Sequence, residues 1–212
     1  MICLSYRGFS LSDGDRPSTQ GIFSDIEAMT EFFEKAVEQK GGSAEVQTIL
    51  WGKSFGCATA IVAKLSSTHV FENVVLESPF TNVPAVYRSL FPCLGHILAR
   101  ITGLSWDNLQ RIGLINAPLL IISGTRDRLT PNSMAIDLYN QAISACKKQL
   151  YHVENGKHSS LYKTDPDFFN KVSAFIVDST NLPQTASVVN DSIEEEEPHA
   201  EVATRTDGLL CN

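Results

Sequence analysis

The stretch QTILWGKSFGCATAIVAKL, residues 47–65, decides how the chain is read, because its centre, Gly52-Lys53-Ser54-Phe55-Gly56, fits two different turns. A phosphate-binding loop of the form G-x-x-x-x-G-K-[ST] would need its first glycine at position 47. That position is Gln47, and Thr48 to Trp51 read as a strand rather than a glycine-rich cradle. The alternative, G-x-S-x-G, needs a strand, a sharp turn and a helix, which together lift a serine hydroxyl clear of a sheet. TILW supplies the strand, and the small residues of CATAIVAKL supply a helix able to pack closely on it. Gly52 and Gly56 are then expected where neighbouring chain leaves no room for a side chain.

A serine hydroxyl is a weak nucleophile at neutral pH. Such a turn therefore calls for a histidine to take its proton and a carboxylate to hold the histidine's tautomer. Asp127 lies just beyond the apolar strand PLLIISG (118–124), in the loop GTRDRLTP, and His158 lies beyond QLYHV (149–153), in ENGKHSS. In a parallel sheet both loops fall at the edge where Ser54 sits. Among the other histidines, His152 is within a strand, His69 and His96 precede the acid, and His199 belongs to the C-terminal segment. The candidates are therefore Ser54, Asp127 and His158.

Around them, apolar runs alternate with helical patterns, which predicts an α/β fold with a mostly parallel sheet flanked by helices on both faces. MICLSY reads as a short buried strand beginning at the first residue, followed by the polar loop RGFSLSDGDRPSTQG. From Ile22 a helix is expected, with Ile26, Met29, Phe33 and Val37 on one face, Ser18 or Thr19 as its cap and the glycine pair at 41 and 42 as its stop. NVVLES (73–78) predicts a strand, and helices are expected from Ser133 to about Cys146 and from Asp167 to Val177. Residues 81–112 interrupt this rhythm. Their apolar side chains, Val83, Val86, Tyr87, Leu90, Phe91, Leu94, Ile97, Leu98 and Ile101, either roof a greasy pocket or pack against the sheet edge, with Pro92 breaking the helix.

With 212 residues and 43% hydrophobic content, the chain can bury one sizeable core. The expected domain is 1–181, with 182–212 a disordered acidic tail. That tail holds seven of the acidic side chains against Arg205 alone, so six of the seven net negative charges reside there. The nearly neutral body lacks the basic excess that nucleic acid would require. The five cysteines, Cys3, Cys57, Cys93, Cys146 and Cys211, are scattered without C-x-x-C spacing, which fits a reducing compartment and signals no metal or cofactor. There is no apolar run of membrane-spanning length, and Arg7 interrupts any signal-peptide core. A cytoplasmic location is expected, or a membrane-associated one if a longer parent carries an anchor.

The stretches SYRGFSLSDG, GKSFG, VVLESPF, PLLIISGTRDRLTP and GKH resemble the α/β-hydrolase superfamily, in particular the abhydrolase-domain family of bud-emergence-related hydrolases and the serine-aminopeptidase-like hydrolases. The resemblance spans residues 2 to about 178. It implies Ser54 as nucleophile, Asp127 as acid, His158 as base and the backbone N–H of Phe55 as one oxyanion donor. It also implies a partial fold lacking the first three strands, with a small lid insertion at about 81–112. In such families the YRG stretch belongs to the fourth strand, and an earlier strand supplies the second oxyanion donor; the usual glycine after RGF is Ser10 here. The expectation is a truncated form of a longer hydrolase, unless MICLSY moves in beside TILW or a partner fills the gap. One missing oxyanion donor costs roughly a hundred- to a thousand-fold in rate. The implied activity is cleavage of small-molecule carboxylic esters or thioesters through an acyl-enzyme, impaired by the absent segment. The alternative is an inactive fragment that acts as a binding protein.

Overall fold

The computed structural model describes residues 1–10, 12–14, 18–41, 47–69, 71–95, 97, 100 and 106–180. The tail expected at 182–212 lies outside them, as do Leu98 and Ile101. Four strands, β1 (Ile49–Lys53), β2 (Asn73–Glu77), β3 (Leu119–Gly124) and β4 (Lys148–Val153), form one parallel sheet in the order β1-β2-β3-β4. Every residue of β2 and β3 is buried, as expected of central parallel strands covered on both faces.

Each crossover steps to the next strand in the same direction, so right-handed connections place the intervening helices on one face. There α2 (Phe55–Ser66), α4 (Asn108–Ile112) and α5 (Asn132–Gln141) bury Ile61, Ile112 and Leu138 against Val74, Leu76, Leu119 and Ile121. After the last strand the chain turns through α6 (Leu161–Thr164) into α7 (Phe168–Thr180) and covers the opposite face. Phe168, Val172 and Phe175 pack there on Val75, Leu120 and Ile122. The helix α1 (Thr19–Glu38) is capped by Ser18, whose hydroxyl accepts from the Gly21 N–H. It lies on α2 through Ile22, Ile26, Ala58 and Val62. Among the described residues no helix is long and apolar enough to cross a membrane.

One sequence expectation fails in the first residues. MICLSY is not a strand: residues 1–6 have no regular secondary structure, Met1 and Ile2 are exposed, and only Leu4 and Tyr6 reach the core around α1 and α2. Nor does the segment join β1, which among the described residues pairs with β2 alone and is the edge of the sheet. An apolar run becomes a strand only when a neighbour completes its ladder, and Tyr6 is held by a side chain instead, its hydroxyl 2.9 Å from Thr59 Oγ1. Arg7 then anchors the following loop, its N–H and Nε both bonding the Asp25 carboxylate of α1 at 2.9 Å. The helix expected from Ser133 to Cys146 is also shorter, because the chain leaves helical geometry at Ala142.

The insertion is closed at its neck. Asn82 and Asp107 form an antiparallel bridge, and the Asn108 side chain donates to the Phe80 carbonyl at 2.9 Å. Inside the neck, α3 (Val83–Leu90) starts at Asn82, whose side chain accepts from the Ala85 N–H, and ends before Pro92.

Candidate active site

The carboxyl ends of all four strands open on one edge of the sheet, and the loops that leave them carry the candidate residues. Ser54 follows β1 at once, with φ 52° and ψ −117°, a backbone conformation that L-residues rarely adopt. Such strain costs about 1–3 kcal/mol and persists only where the surroundings enforce it. Here the Ser54 N–H donates to the Glu77 carbonyl at 2.8 Å, and the Cys57 N–H donates back to the Ser54 carbonyl at 3.0 Å. Below the turn the buried Cys57 thiol is 3.2 Å from the carbonyls of both Gly52 and Glu77.

The two glycines around Ser54 do different work. A Cβ on Gly52 would lie 2.3 Å from the Gly56 carbonyl oxygen, so the chain crosses itself where only hydrogen fits. A Cβ on Gly56 would meet nothing within 4 Å. The expectation of crowding at both positions is therefore corrected at Gly56, which borders an open groove beside the free edge of β1.

The structure brings Ser54, His158 and Asp127 together. Ser54 Oγ is 2.9 Å from His158 Nε2, and His158 Nδ1 is 2.8 Å from Asp127 Oδ2. A carboxylate accepts only, so Nδ1 carries the proton and Nε2 is left to accept from the serine. The Asp127 side chain is fully buried and His158 19% exposed, so the pair is sheltered while the imidazole keeps access to the cavity. Asp127 Oδ1 accepts the N–H groups of Leu129 at 2.9 Å and Thr130 at 3.0 Å. Burial pushes its pKa up, but the bonds from His158 and Thr130 outweigh that and hold it below the ordinary 3.8. The ionised carboxylate thus stabilises the folded state above its unfolded pKa. That contribution is lost as pH falls through the depressed folded value.

Three features of this constellation escaped sequence reasoning. Thr130 Oγ1 lies 2.9 Å from Asp127 Oδ2, 3.2 Å from the Ser78 carbonyl and 3.2 Å from His158 Nδ1, so its single proton braces the acid. The acid and histidine loops also cross in contact: a Cβ on Gly124 would lie 2.2 Å from the Gly156 carbonyl, which accepts the Arg126 N–H at 2.9 Å. Finally, the N-terminal turn of α1 forms one wall of the site. GTRDRLTP opens on Gly124 and contains Thr125 and Thr130, but nothing in the local pattern says which side chains meet across the fold.

Beside Ser54 opens a cavity of about 330 Å³. Ile22 of α1, Phe55, Phe80, Val83, Val86 and Trp106 make its lining predominantly apolar. Trp106 stacks on Phe23 at 5.1 Å and meets Phe55 edge-on at 5.3 Å, which fixes the aromatic wall. The insertion is thus divided: Val83, Val86 and Tyr87 face the cavity, whereas Leu90, Phe91, Leu94 and Ile97 do not. Ser89 ties α3 to the acid loop through the Leu129 carbonyl at 2.9 Å. Among the described residues no group of His, Cys, Asp and Glu is disposed to hold a metal ion.

The parallel sheet, the strained serine turn and the position of the insertion define an α/β-hydrolase fold, present in part. A solved esterase of Pyrococcus furiosus superposes with a TM-score of 0.66 at 17% identity, over 82% of this chain and 68% of that one. No protein-family model matches the chain. It is 25% identical over 180 residues to the protein Bem46 of Schizosaccharomyces pombe, covering 84% of this chain and 58% of that protein. It is 26% identical over 189 residues to the α/β hydrolase domain-containing protein WAV2 of Arabidopsis thaliana, covering 82% and 58%. In sequence the chain is similar to these abhydrolase-domain proteins, and it spans less than two thirds of the length of the two relatives.

Proposed function

We propose that the chain is a serine hydrolase that cleaves carboxylic esters or thioesters of apolar acyl groups through an acyl-enzyme. The observation that carries this reading is the unbroken relay from Ser54 Oγ through His158 to the buried Asp127, with steps of 2.9 and 2.8 Å, opening on an apolar cavity. In the first half-reaction His158 Nε2 takes the Ser54 proton as Oγ attacks the carbonyl carbon. The resulting oxyanion faces the Phe55 N–H at the start of α2, where the helix dipole adds positive potential. Collapse of the intermediate expels the alcohol or thiol, which leaves with the proton held by His158. Water then repeats the sequence, transferring its proton to His158 and releasing the carboxylic acid and the free serine.

The size and lining of the cavity favour a flexible hydrocarbon over a peptide side chain. A series of p-nitrophenyl esters from acetate to laurate tests this. kcat/KM should rise by at least about tenfold from acetate to a medium-length chain, since each buried methylene contributes about 0.8 kcal/mol. A profile that is flat, or that falls from acetate onward, would contradict an acyl pocket.

Thr130 is proposed as a positioning residue, acting through Asp127. Thr130→Val keeps the shape and removes the hydroxyl, so kcat should fall about five- to tenfold, the equivalent of about 1–1.4 kcal/mol, one typical net hydrogen bond. KM should stay within about twofold. Thr130→Ser, which restores the hydroxyl, should recover most of the loss; failure of that rescue would assign Thr130 to packing alone.

A further inference from the structure

The outer surface of the insertion carries a feature that the hydrolytic reading does not use. Leu90, Phe91, Leu94 and Ile97 are 44%, 48%, 56% and 45% exposed, four large apolar side chains within eight residues. Pro92 and Cys93 between them are exposed as well. Scattered surface hydrophobes need no explanation, but a contiguous group on one short segment marks an interaction surface. Its charge is equally one-sided. Residues 78–106 contain no Asp or Glu, while Arg88 and Arg100, both exposed, bracket the apolar group. A water-facing segment normally mixes charges of both signs, and this one carries only positive charge beside its apolar residues.

The same segment reaches the cavity. Val83, Val86 and Tyr87, earlier on α3, line it, and Leu90 follows Val86 and Tyr87 by one helical turn. A second protein would need shape and hydrogen bonding that four flexible side chains do not specify. An anionic bilayer supplies what this surface lacks: a hydrocarbon layer for Leu90, Phe91, Leu94 and Ile97, and headgroup phosphates for Arg88 and Arg100.

We infer that the insertion docks the protein on anionic lipid surfaces, with Leu90, Phe91, Leu94 and Ile97 seated below the headgroups and Arg88 and Arg100 pairing with phosphate. Docking turns the cavity mouth toward the lipid phase, where an apolar acyl substrate would reside. The contact is peripheral and reversible, since two positive charges and four partly exposed side chains are far from a membrane-spanning anchor.

Flotation of the full chain with vesicles of phosphatidylcholine alone, or with 30% phosphatidylglycerol, tests this. The wild type should float with the anionic vesicles and do so at least about tenfold less with the neutral ones, with binding reduced as salt rises. Phe91→Asp/Leu94→Asp and Arg88→Glu/Arg100→Glu should each weaken anionic-vesicle binding by about tenfold or more. Ser54→Ala should bind as the wild type does, so docking is read independently of hydrolysis. Wild-type protein that stays with the soluble fraction would overturn the inference. So would paired variants that bind undiminished, or a wild-type dimer that Phe91→Asp/Leu94→Asp converts to a monomer with vesicle binding unchanged. Circular dichroism spectra matching the wild type establish that the paired variants are folded.

Discussion

Ser54→Ala should lower kcat/KM for p-nitrophenyl esters by about 10⁵-fold while leaving the urea midpoint close to that of the wild type. The substitution removes one oxygen and nothing that holds the turn. The Ser54 N–H still reaches the Glu77 carbonyl, and the Ser54 carbonyl still accepts from Cys57. Alanine keeps a Cβ at φ 52°, so the strain is retained rather than relieved. His158→Ala should cost a similar factor, because the serine proton then has no acceptor at 2.9 Å. The double variant should be no slower than either alone within about tenfold, since groups acting as a unit are not additive. Independent losses that multiplied in the double variant would mean that Ser54 and His158 do not work together. Steady-state rates with active-site-independent protein quantification decide between these outcomes.

Alongside Gly124→Ala, Gly52→Ala should be among the most destabilising single-methyl changes in the described residues. Its Cβ would sit 2.3 Å from Gly56 oxygen and 2.6 Å from Gly56 carbon, both backbone atoms that cannot rotate aside. Either β1 or the first turn of α2 must then move, breaking the bonds that hold Ser54 in its strained conformation. The expected loss is about 3 kcal/mol or more, at the upper end for a small-to-large change. Gly56→Ala provides the contrast. Its Cβ meets no atom within 4 Å, and it lies in the first turn of α2, where alanine is favoured over glycine by up to about 1 kcal/mol. Urea denaturation of both variants checks the pair. Equal effects would mean that the crossing at Gly52 is looser than 2.3 Å implies.

Much of this was legible in the sequence because the information is local. A strand, a glycine-flanked serine and a small-residue helix announce their turn within ten residues, and β2 and β3 announce their burial by unbroken apolar runs. Asp127 and His158 were found by asking which loops share the sheet edge with Ser54. The missed features are those set by distant neighbours. MICLSY has the composition of a strand but pairs with none, and composition cannot report which neighbours a segment meets. Thr130 braces Asp127 from three residues away, yet its role depends on Ser78 and His158, 52 and 28 residues distant in the chain. Gly56 looks equivalent to Gly52 in the motif; which side of the turn is crowded follows from the packing of β1 on α2. The insertion divides its apolar residues between cavity and surface, a division that follows the path of the chain after Pro92 rather than any periodicity in the residues.

The central claim is that Ser54 is an activated nucleophile, and covalent labelling tests it most directly. The folded chain, incubated with a fluorophosphonate and digested for mass spectrometry, should carry one phosphonyl adduct, on the peptide containing Ser54. Ser54→Ala should carry none, and His158→Ala should label at least about a hundredfold more slowly, because the attacking oxygen keeps its proton. Folded wild-type protein that does not label, or an adduct that persists unchanged in Ser54→Ala, would contradict the account.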